Sequence, residues 1–249
     1  LNYVDSEARL TQPLVRRGDK LEPATWDEAL QLVTDTLKSV SSTQIAAIGS
    51  GKLTNEAALA MATLFGEVGT PHVDAGFTST ITTPETLAAL NNLASLKGRN
   101  DYLVVLHPEA NAVGVRRAGL QPQNGGLTGD RVLESAAKGD VKVLYIAANN
   151  PLRNATDFDV ARRALEAAEF VVVQTLFLNE LADYADVVLP AATFLEQEGT
   201  TTNFAGKVQT LKQVFKPRER RDAHGNTLSA CAPDWMIFTK LLQLLGKDQ

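Results

Sequence analysis

The chain has a single cysteine, Cys231, among its 249 residues. It can therefore form no internal disulfide, and it cannot hold an iron–sulfur cluster alone, because such clusters need about four thiolates. A lone cysteine fits a reducing compartment. The only histidines, His72, His107 and His224, are far apart, and none has a second histidine or a carboxylate at metal-ligand spacing. The sequence thus predicts no metal site, and it shows no constellation of catalytic residues.

Long apolar runs and an excess of positive charge are also missing. No apolar run approaches the roughly 20 residues that a membrane-spanning helix needs. The 24 basic and 29 acidic residues give a formal net charge of −5, which argues against nucleic acid as the main partner. We therefore expect no nucleic-acid binding and no direct insertion into a membrane.

Short apolar segments alternate along the chain with segments of helical periodicity. The pattern predicts strands at residues 44–48, 102–106, 141–147, 170–175 and 186–189. It predicts helices at residues 55–68, 156–169, 179–184 and 233–245, and an earlier helix that begins at a capping box formed by Thr25 and Glu28. Strands separated by helices form a mostly parallel sheet. The predicted fold class is therefore α/β, a doubly wound, mostly parallel sheet flanked by helices.

The remaining segments suggest how the chain is divided. We predict an irregular opening segment with the first helix at residues 1–43 and an α/β domain at residues 44–249, in which residues 70–100 form an irregular junction. A polar loop is expected at residues 109–114, an edge strand just after Lys207, and an exposed, turn-rich loop at residues 217–226.

Residues 49–52, Gly-Ser-Gly-Lys, resemble part of a phosphate-binding P-loop, in which backbone amides and a lysine hold phosphates. The full pattern is not met. Ala46 stands where the first glycine is needed, and Leu53 follows the lysine in place of the Ser or Thr that binds magnesium. The glycines therefore favour a tight turn between a strand and a helix over nucleotide hydrolysis.

Residues 185–209, ADVVLPAATFLEQEGTTTNFAGKVQ, join a buried strand to a loop rich in hydroxyl and amide groups. Such a loop lies where open α/β sheets bind ligands. Its polar groups can bind phosphate, the edge of an organic ring, or the loop's own backbone. Asn149, Asn150 and Pro151 follow another predicted strand, and the two loops would meet at the carboxyl edge of the sheet if their strands are neighbours.

Four passages resemble the molybdopterin oxidoreductase superfamily, and more closely its branch of large peripheral-arm subunits (the G, chain 3 or 75 kDa type) from respiratory complex I, the proton-pumping NADH:quinone oxidoreductase. They are residues 9–16 with 26–30, residues 109–114 with 118–120, residues 149–151, and residues 185–209. They span nearly the whole chain in the family's order. The second passage, Glu-Ala-Asn-Ala-Val-Gly, is typical of the complex I branch.

The resemblance implies a doubly wound fold whose loops contact a pterin dinucleotide in the catalytic relatives. The corresponding positions here are interpreted as a vestigial pterin site, and they are Asn149, Asn150, Thr201, Asn203 and Gln209. In complex I this domain is expected to hold no pterin and to act as a scaffold. The iron–sulfur clusters of that subunit belong to an amino-terminal region that is absent from this sequence, so no cofactor is expected in this chain.

The sequence departs from the family in three ways. Residues 205–209 read Ala-Gly-Lys-Val-Gln where Glu-Gly-Arg-Val-Gln is usual, and a lysine does not replace the bidentate fork of an arginine, which argues against molybdopterin binding. The interval between Thr70 and Tyr102 is too short for the family's second nucleotide-fold domain. The carboxyl-terminal domain expected after Gly246 is also missing. We expect a fragment or a reduced form of a larger subunit.

Three functional hypotheses follow. The first is a non-catalytic scaffold in the peripheral arm of complex I, which supports electron transfer from NADH to quinone beside flavin- and iron–sulfur-bearing subunits, on the cytoplasmic side of the bacterial inner membrane. The second is a fragment of a molybdopterin-dependent oxidoreductase such as a formate dehydrogenase, although Cys231 comes too late in the chain to be its molybdenum ligand. The third is a free-standing small-molecule binding module.

Overall fold

The computed structural model describes Val4 and residues 6–76, 109–221, 224–225 and 227–246. The predicted strand at residues 102–106, most of the junction at residues 70–100, and His107 lie outside the described residues. The predictions on these segments therefore stay predictions.

Seven strands of the described part of the chain form the central sheet. They are β1 (Leu14–Arg17), β2 (Lys20–Pro23), β3 (Ile45–Ile48), β4 (His72–Asp74), β5 (Val143–Ala147), β6 (Phe170–Thr175) and β7 (Val187–Pro190). Their order across the sheet is β2-β1-β7-β6-β5-β3-β4. The five strands β7, β6, β5, β3 and β4 run parallel to one another, whereas β1 pairs antiparallel with both β2 and β7. The predicted α/β class with a mostly parallel sheet is confirmed.

Seven α-helices of the described residues connect or cover these strands. They are α1 (Trp26–Ser39), α2 (Asn55–Val68), α3 (Ala112–Arg117), α4 (Gly129–Ala136), α5 (Pro151–Asn154), α6 (Phe158–Ala167) and α7 (Asp234–Leu244), with short 3-10 helices at Ser42–Gln44 and Glu180–Asp183. The Thr25 side chain accepts a hydrogen bond from the Glu28 amide at 3.1 Å, as the capping box predicts.

The core lies on both faces of the sheet because side chains alternate along each strand. In β5, Leu144 and Ile146 pack on the face that α4 and α6 cover, whereas Tyr145 and Ala147 pack on the face that α1, α2 and α7 cover. Every residue of β5 is buried. Two-sided burial explains why these strands appear in the sequence as continuous apolar runs.

The opening of the chain was wrongly predicted to be irregular, since β1 and β2 extend the central sheet. Arg16 anchors β1, because its guanidinium donates to the carbonyl oxygens of Ala185 and Ala182 at 2.8 and 2.6 Å. The division of the chain at residue 43 is not tested and stays a prediction.

The predicted edge strand just after Lys207 is confirmed as β9 (Val208–Leu211), which pairs with β8 (Gly199–Thr202) in a hairpin that is separate from the main sheet within the described residues. Two other local predictions were wrong. Residues 217–226 contribute β10 (Glu219–Arg221), which pairs with β11 (Thr227–Ala230). The predicted loop at residues 109–114 becomes α3 from Ala112 onward.

Two asparagines dock the β8–β9 hairpin onto α2 and α3. The Asn55 amide donates to Thr200 Oγ1 at 3.0 Å and to Thr202 Oγ1 at 3.1 Å. Asn111 accepts a hydrogen bond from the backbone amide of Thr202 and donates to the Leu53 carbonyl at 2.9 Å. A β-carbon at Gly114 would lie 2.0 Å from Asn55 Oδ1 and 2.1 Å from Asn111 Oδ1. Only glycine fits at this position.

We expect Gly114→Ala to destabilise the protein by about 1 to 3 kcal/mol or more, because the added methyl group overlaps both asparagine side chains. Gly66→Ala is the matched control, since Gly66 is also helical and a β-carbon there meets nothing within 4 Å. It should stabilise the protein by about 0.5 to 1 kcal/mol. Urea unfolding of both variants tests the pair, and effects of equal sign would contradict it.

Candidate functional site

A cavity of about 620 Å³ lies at the carboxyl ends of β5, β6 and β7. Its wall is formed by the residues that follow these strands, including Ala148 and Asn149 after β5, Phe177 after β6, and Ala192 and Thr193 after β7. This cavity, termed the edge cavity, lies where open α/β sheets bind ligands. Its volume is within the range of small-molecule sites.

Asn149 and Asn150 line the edge cavity, but their side chains already have partners. Asn149 Nδ2 donates to the Gly49 carbonyl at 2.7 Å. Asn150 caps α5 by accepting from the Leu152 amide at 3.1 Å, and it donates to Glu180 Oε1 at 3.0 Å. Both asparagines therefore stabilise the loops around the cavity.

Thr201, Asn203 and Gln209 lie on the β8–β9 hairpin and do not line the edge cavity. Thr201 pairs with Gln209 across the hairpin. The Asn203 carboxamide closes the hairpin turn, where it accepts from the amides of Ala205 and Lys207, each at 3.0 Å. The structure thus brings two of the five predicted positions together and leaves three elsewhere. A cofactor-binding role for these positions stays a prediction.

Below the cavity lies a buried polar network that the sequence did not reveal. Tyr145 Oη donates to Gln174 Oε1 at 2.6 Å, and Gln174 Nε2 donates to Asp234 Oδ1 at 2.5 Å. Burial raises the pKa of Asp234 to about 6, and hydrogen bonds from Gln174 and Gln197 oppose that rise. The one sequence signal was Gln174, a polar residue inside an otherwise apolar strand.

Two side-chain atoms at the edge cavity lack a hydrogen-bond partner within the described part of the chain. They are Thr193 Oγ1 and Gln197 Oε1, and their residues are only 2% and 3% exposed. Buried polar atoms are nearly always hydrogen-bonded, and leaving one without a partner costs about 1 to 3 kcal/mol. These two atoms therefore indicate that the cavity suits a polar ligand or ordered water.

Residues 49–52, termed the glycine turn, form the predicted tight turn between β3 and α2. The carboxylate of Glu109 occupies it. Ser50 Oγ donates to Glu109 Oε1 at 2.9 Å, the Gly51 amide donates to Glu109 Oε2, and Lys52 Nζ lies 3.9 Å from Oε1. The turn thus holds an internal anion where a P-loop would hold a phosphate.

Cys231 is buried beside an ion pair and is a poor candidate for a metal ligand or a nucleophile. Burial, with a smaller contribution from Glu196, raises the pKa of its thiol to about 11. Arg9 Nη2 lies 2.7 Å from Glu196 Oε2, and both side chains are at most 1% exposed. The reactive form of cysteine is the thiolate, which this environment disfavours.

The described residues contain neither a candidate metal site nor a helix that could span a membrane. No group of three or more His, Cys, Asp or Glu side chains converges there in a way that could hold a metal ion. None of the helices in that part of the chain is long and apolar enough to cross a membrane.

We expect Asp234 to make stability depend on pH. An unfolded aspartate titrates near 3.9, so between about pH 4 and pH 6 the folded protein binds more protons, and the free energy of unfolding falls as pH rises. Asp234→Asn cannot ionise, so the variant should gain on the order of 2 kcal/mol relative to wild type between pH 4 and pH 7.

Urea unfolding of both proteins across this pH range provides the measurement. The difference between the two proteins cancels the contributions of Asp74 and Asp186, whose pKa values burial also raises. A difference that stays constant with pH would contradict the assignment of this titration to Asp234.

The chain is similar in sequence to one protein family and in fold to a solved structure. The family model for molybdopterin oxidoreductase matches residues 9–78 and 75–223. The acetylene hydratase from Pelobacter acetylenicus has the same fold with a TM-score of 0.61 at 12% sequence identity, covering 98% of this chain and 62% of the hydratase.

Three curated relatives differ in their named functions. The alpha subunit of the F420-dependent formate dehydrogenase 2 of Methanococcus maripaludis is 40% identical over 50% of this chain and 17% of its own length. The assimilatory nitrate reductase catalytic subunit of Bacillus subtilis is 35% identical over 50% of this chain and 16% of its own. The G 2 subunit of the NADH-quinone oxidoreductase of Rhizobium meliloti is 42% identical over 39% of this chain and 11% of its own. The matched region is thus a small part of each relative, and on the family match the chain belongs to the molybdopterin oxidoreductase family.

Proposed function

We propose that this chain is a non-catalytic scaffold domain in the peripheral arm of an NADH:quinone oxidoreductase. The similarity to the NADH-quinone oxidoreductase of Rhizobium meliloti over 39% of the chain supports this branch of the family. The observation that carries the proposal is that polar groups in the family's cofactor loops bind one another. Asn111 and Asn203 hydrogen-bond to the backbone of the β8–β9 hairpin. Asn149 and Asn150 hydrogen-bond to the backbone of the loops at the sheet edge.

The described residues fit a molybdenum-bearing pterin dinucleotide poorly. Two cations line the edge cavity, and each already faces a carboxylate: Lys52 faces Glu109, and Arg153 binds both carboxylate oxygens of Glu180 at 2.5 and 3.0 Å. The hydrogen bond from Arg153 lowers the pKa of Glu180 to about 2. A pyrophosphate would have to displace these carboxylates, and Cys231 offers no accessible thiolate. We therefore assign no catalytic step to this chain.

As a scaffold, the domain would contact other peripheral-arm subunits on the cytoplasmic side of a bacterial inner membrane. Its surface offers large exposed apolar side chains, including Phe204 and Val208 on the β8–β9 hairpin and Val214 and Phe215 just after it. Neighbouring apolar residues on a surface are typical of protein contacts. Electron transfer would belong to the flavin and iron–sulfur centres of partner regions.

The second candidate is part of a molybdopterin-dependent oxidoreductase such as a formate dehydrogenase. One observation favours it: Thr193 Oγ1 and Gln197 Oε1 are buried at the edge cavity without partners among the described residues, as expected of groups that bind a heterocyclic ligand. The matches to a formate dehydrogenase and a nitrate reductase give the same candidate support.

Purification with native partners tests the proposal. We expect a tagged chain, expressed in its own host, to co-purify with flavin- and iron–sulfur-bearing subunits, and we expect neither molybdenum nor released pterin in proportion to protein. Stoichiometric molybdenum and pterin would overturn the scaffold function. A stable monomer that captures none of these subunits would favour a small-molecule binding module instead.

Thr193→Val separates the two main candidates. The Thr193 hydroxyl has no partner in the described part of the chain, so its removal should leave subunit capture unchanged and stabilise the isolated protein by up to about 1 kcal/mol. If a pterin nucleotide occupies the edge cavity, the variant should instead lose bound pterin. Pterin fluorescence and thermal unfolding, measured on the same preparations, distinguish these outcomes.

A further inference from the structure

We infer that the glycine turn is an anion-binding site that this chain fills with its own Glu109 carboxylate, and that the turn binds phosphate once the carboxylate is removed. The inference concerns the isolated chain and holds under either functional candidate. It rests on the donors of the turn, on the burial of Ser50 and Gly51, and on the position of Lys52 at the edge cavity.

Three donors of different kinds converge on Glu109. They are the hydroxyl of Ser50, the backbone amide of Gly51 and the ammonium group of Lys52. A backbone amide and a lysine on the loop between a strand and a helix are the groups that bind phosphate in P-loops. The turn precedes α2, whose amino-terminal end also favours negative charge.

Two of these donors, the Ser50 hydroxyl and the Gly51 amide, are buried and therefore need an acceptor, whereas the Lys52 side chain is 61% exposed. Ser50 is fully buried, Gly51 is buried, and the Glu109 side chain is 22% exposed. A β-carbon at Gly51 would lie 2.8 Å from the Glu109 β-carbon, so the carboxylate is packed against the turn. Without it, the Ser50 hydroxyl and the Gly51 amide would be buried donors with no acceptor, which is destabilising. An external anion that accepts these hydrogen bonds would restore the lost stability.

The glycine turn also adjoins the edge cavity, which gives a ligand access. Lys52 belongs to both, since its ammonium group faces Glu109 while its side chain lines the cavity. Thr193 Oγ1 and Gln197 Oε1, which have no partner among the described residues, lie in the same cavity and independently indicate a site built for a polar ligand. With Glu109 in place, the negative charge at this end excludes phosphate.

Thermal unfolding of Glu109→Ala tests the inference. At constant ionic strength, with chloride as the balancing anion, the variant should melt below wild type and should regain melting temperature when phosphate replaces chloride, since a ligand of the folded state stabilises it. Acetate should restore part of the lost melting temperature, because it supplies a carboxylate in place of the missing Glu109 side chain. Wild type should show only the general stabilisation that phosphate gives a folded protein, so the excess gain in melting temperature of the variant over wild type is the quantity to compare.

Calorimetric titration with inorganic phosphate gives the affinity, which we expect to be at least about tenfold higher for Glu109→Ala than for wild type. Glu109→Gln, which keeps the volume but not the charge, should lie between them. Adding Lys52→Met or Ser50→Ala to Glu109→Ala should abolish the gain. A second titration of Glu109→Ala uses adenosine monophosphate. If it binds more tightly than inorganic phosphate, the site suits a phosphate ester whose base enters the edge cavity.

Equal phosphate affinity in wild type and Glu109→Ala would overturn the inference. So would a gain that survives both Lys52→Met and Ser50→Ala. If Glu109→Ala does not fold in chloride, refolding in phosphate becomes the measurement. Recovery of folded protein in phosphate supports the anion site, and failure to recover it in phosphate and in acetate contradicts it.

Discussion

The burial of the parallel strands on both faces is the constraint on which the rest of this structure depends. Leu144 and Tyr145 are neighbours in sequence, yet they enter opposite halves of the core. Helices must therefore cover both faces, and the chain must return to the same edge of the sheet after each strand. This geometry gathers the loops after β5, β6 and β7 into one place and creates the edge cavity.

Several polar side chains near this edge of the sheet are hydrogen-bonded to other groups of the same chain. Glu109 fills the glycine turn, Asn111 holds the β8–β9 hairpin, and Glu180 binds Arg153. Each of these contacts uses a group that a phosphate or a pterin could otherwise have engaged. The fold is therefore compatible with a site whose polar groups bind one another, because function resides in sites placed on a fold and not in the fold itself.

The edge cavity differs from its surroundings because some of its polar groups are not satisfied. Thr193 Oγ1 and Gln197 Oε1 are buried without partners in the described part of the chain, whereas Gln174 and Asp234 complete a closed network beneath them. The polar groups of the floor are therefore hydrogen-bonded to one another, whereas two polar atoms of the wall are not. The unpaired atoms of the wall support the ligand-binding candidate, whereas the paired groups support the proposed scaffold.

The sequence by itself determined the features that depend on near neighbours. The Thr25 cap, the helix at residues 55–68 and the buried strand at residues 170–175 each follow from periodicity, capping and apolar runs, and together they specify a doubly wound α/β fold. Tertiary structure alone decided the pairing of β1 with β7, the separation of the β8–β9 hairpin from the sheet, and the insertion of Glu109 into the glycine turn. The partners of β1 and of the glycine turn, and the asparagines that dock the hairpin, lie far from them in the chain. Their geometry therefore depends on how the whole core packs and leaves no periodic signal in the sequence.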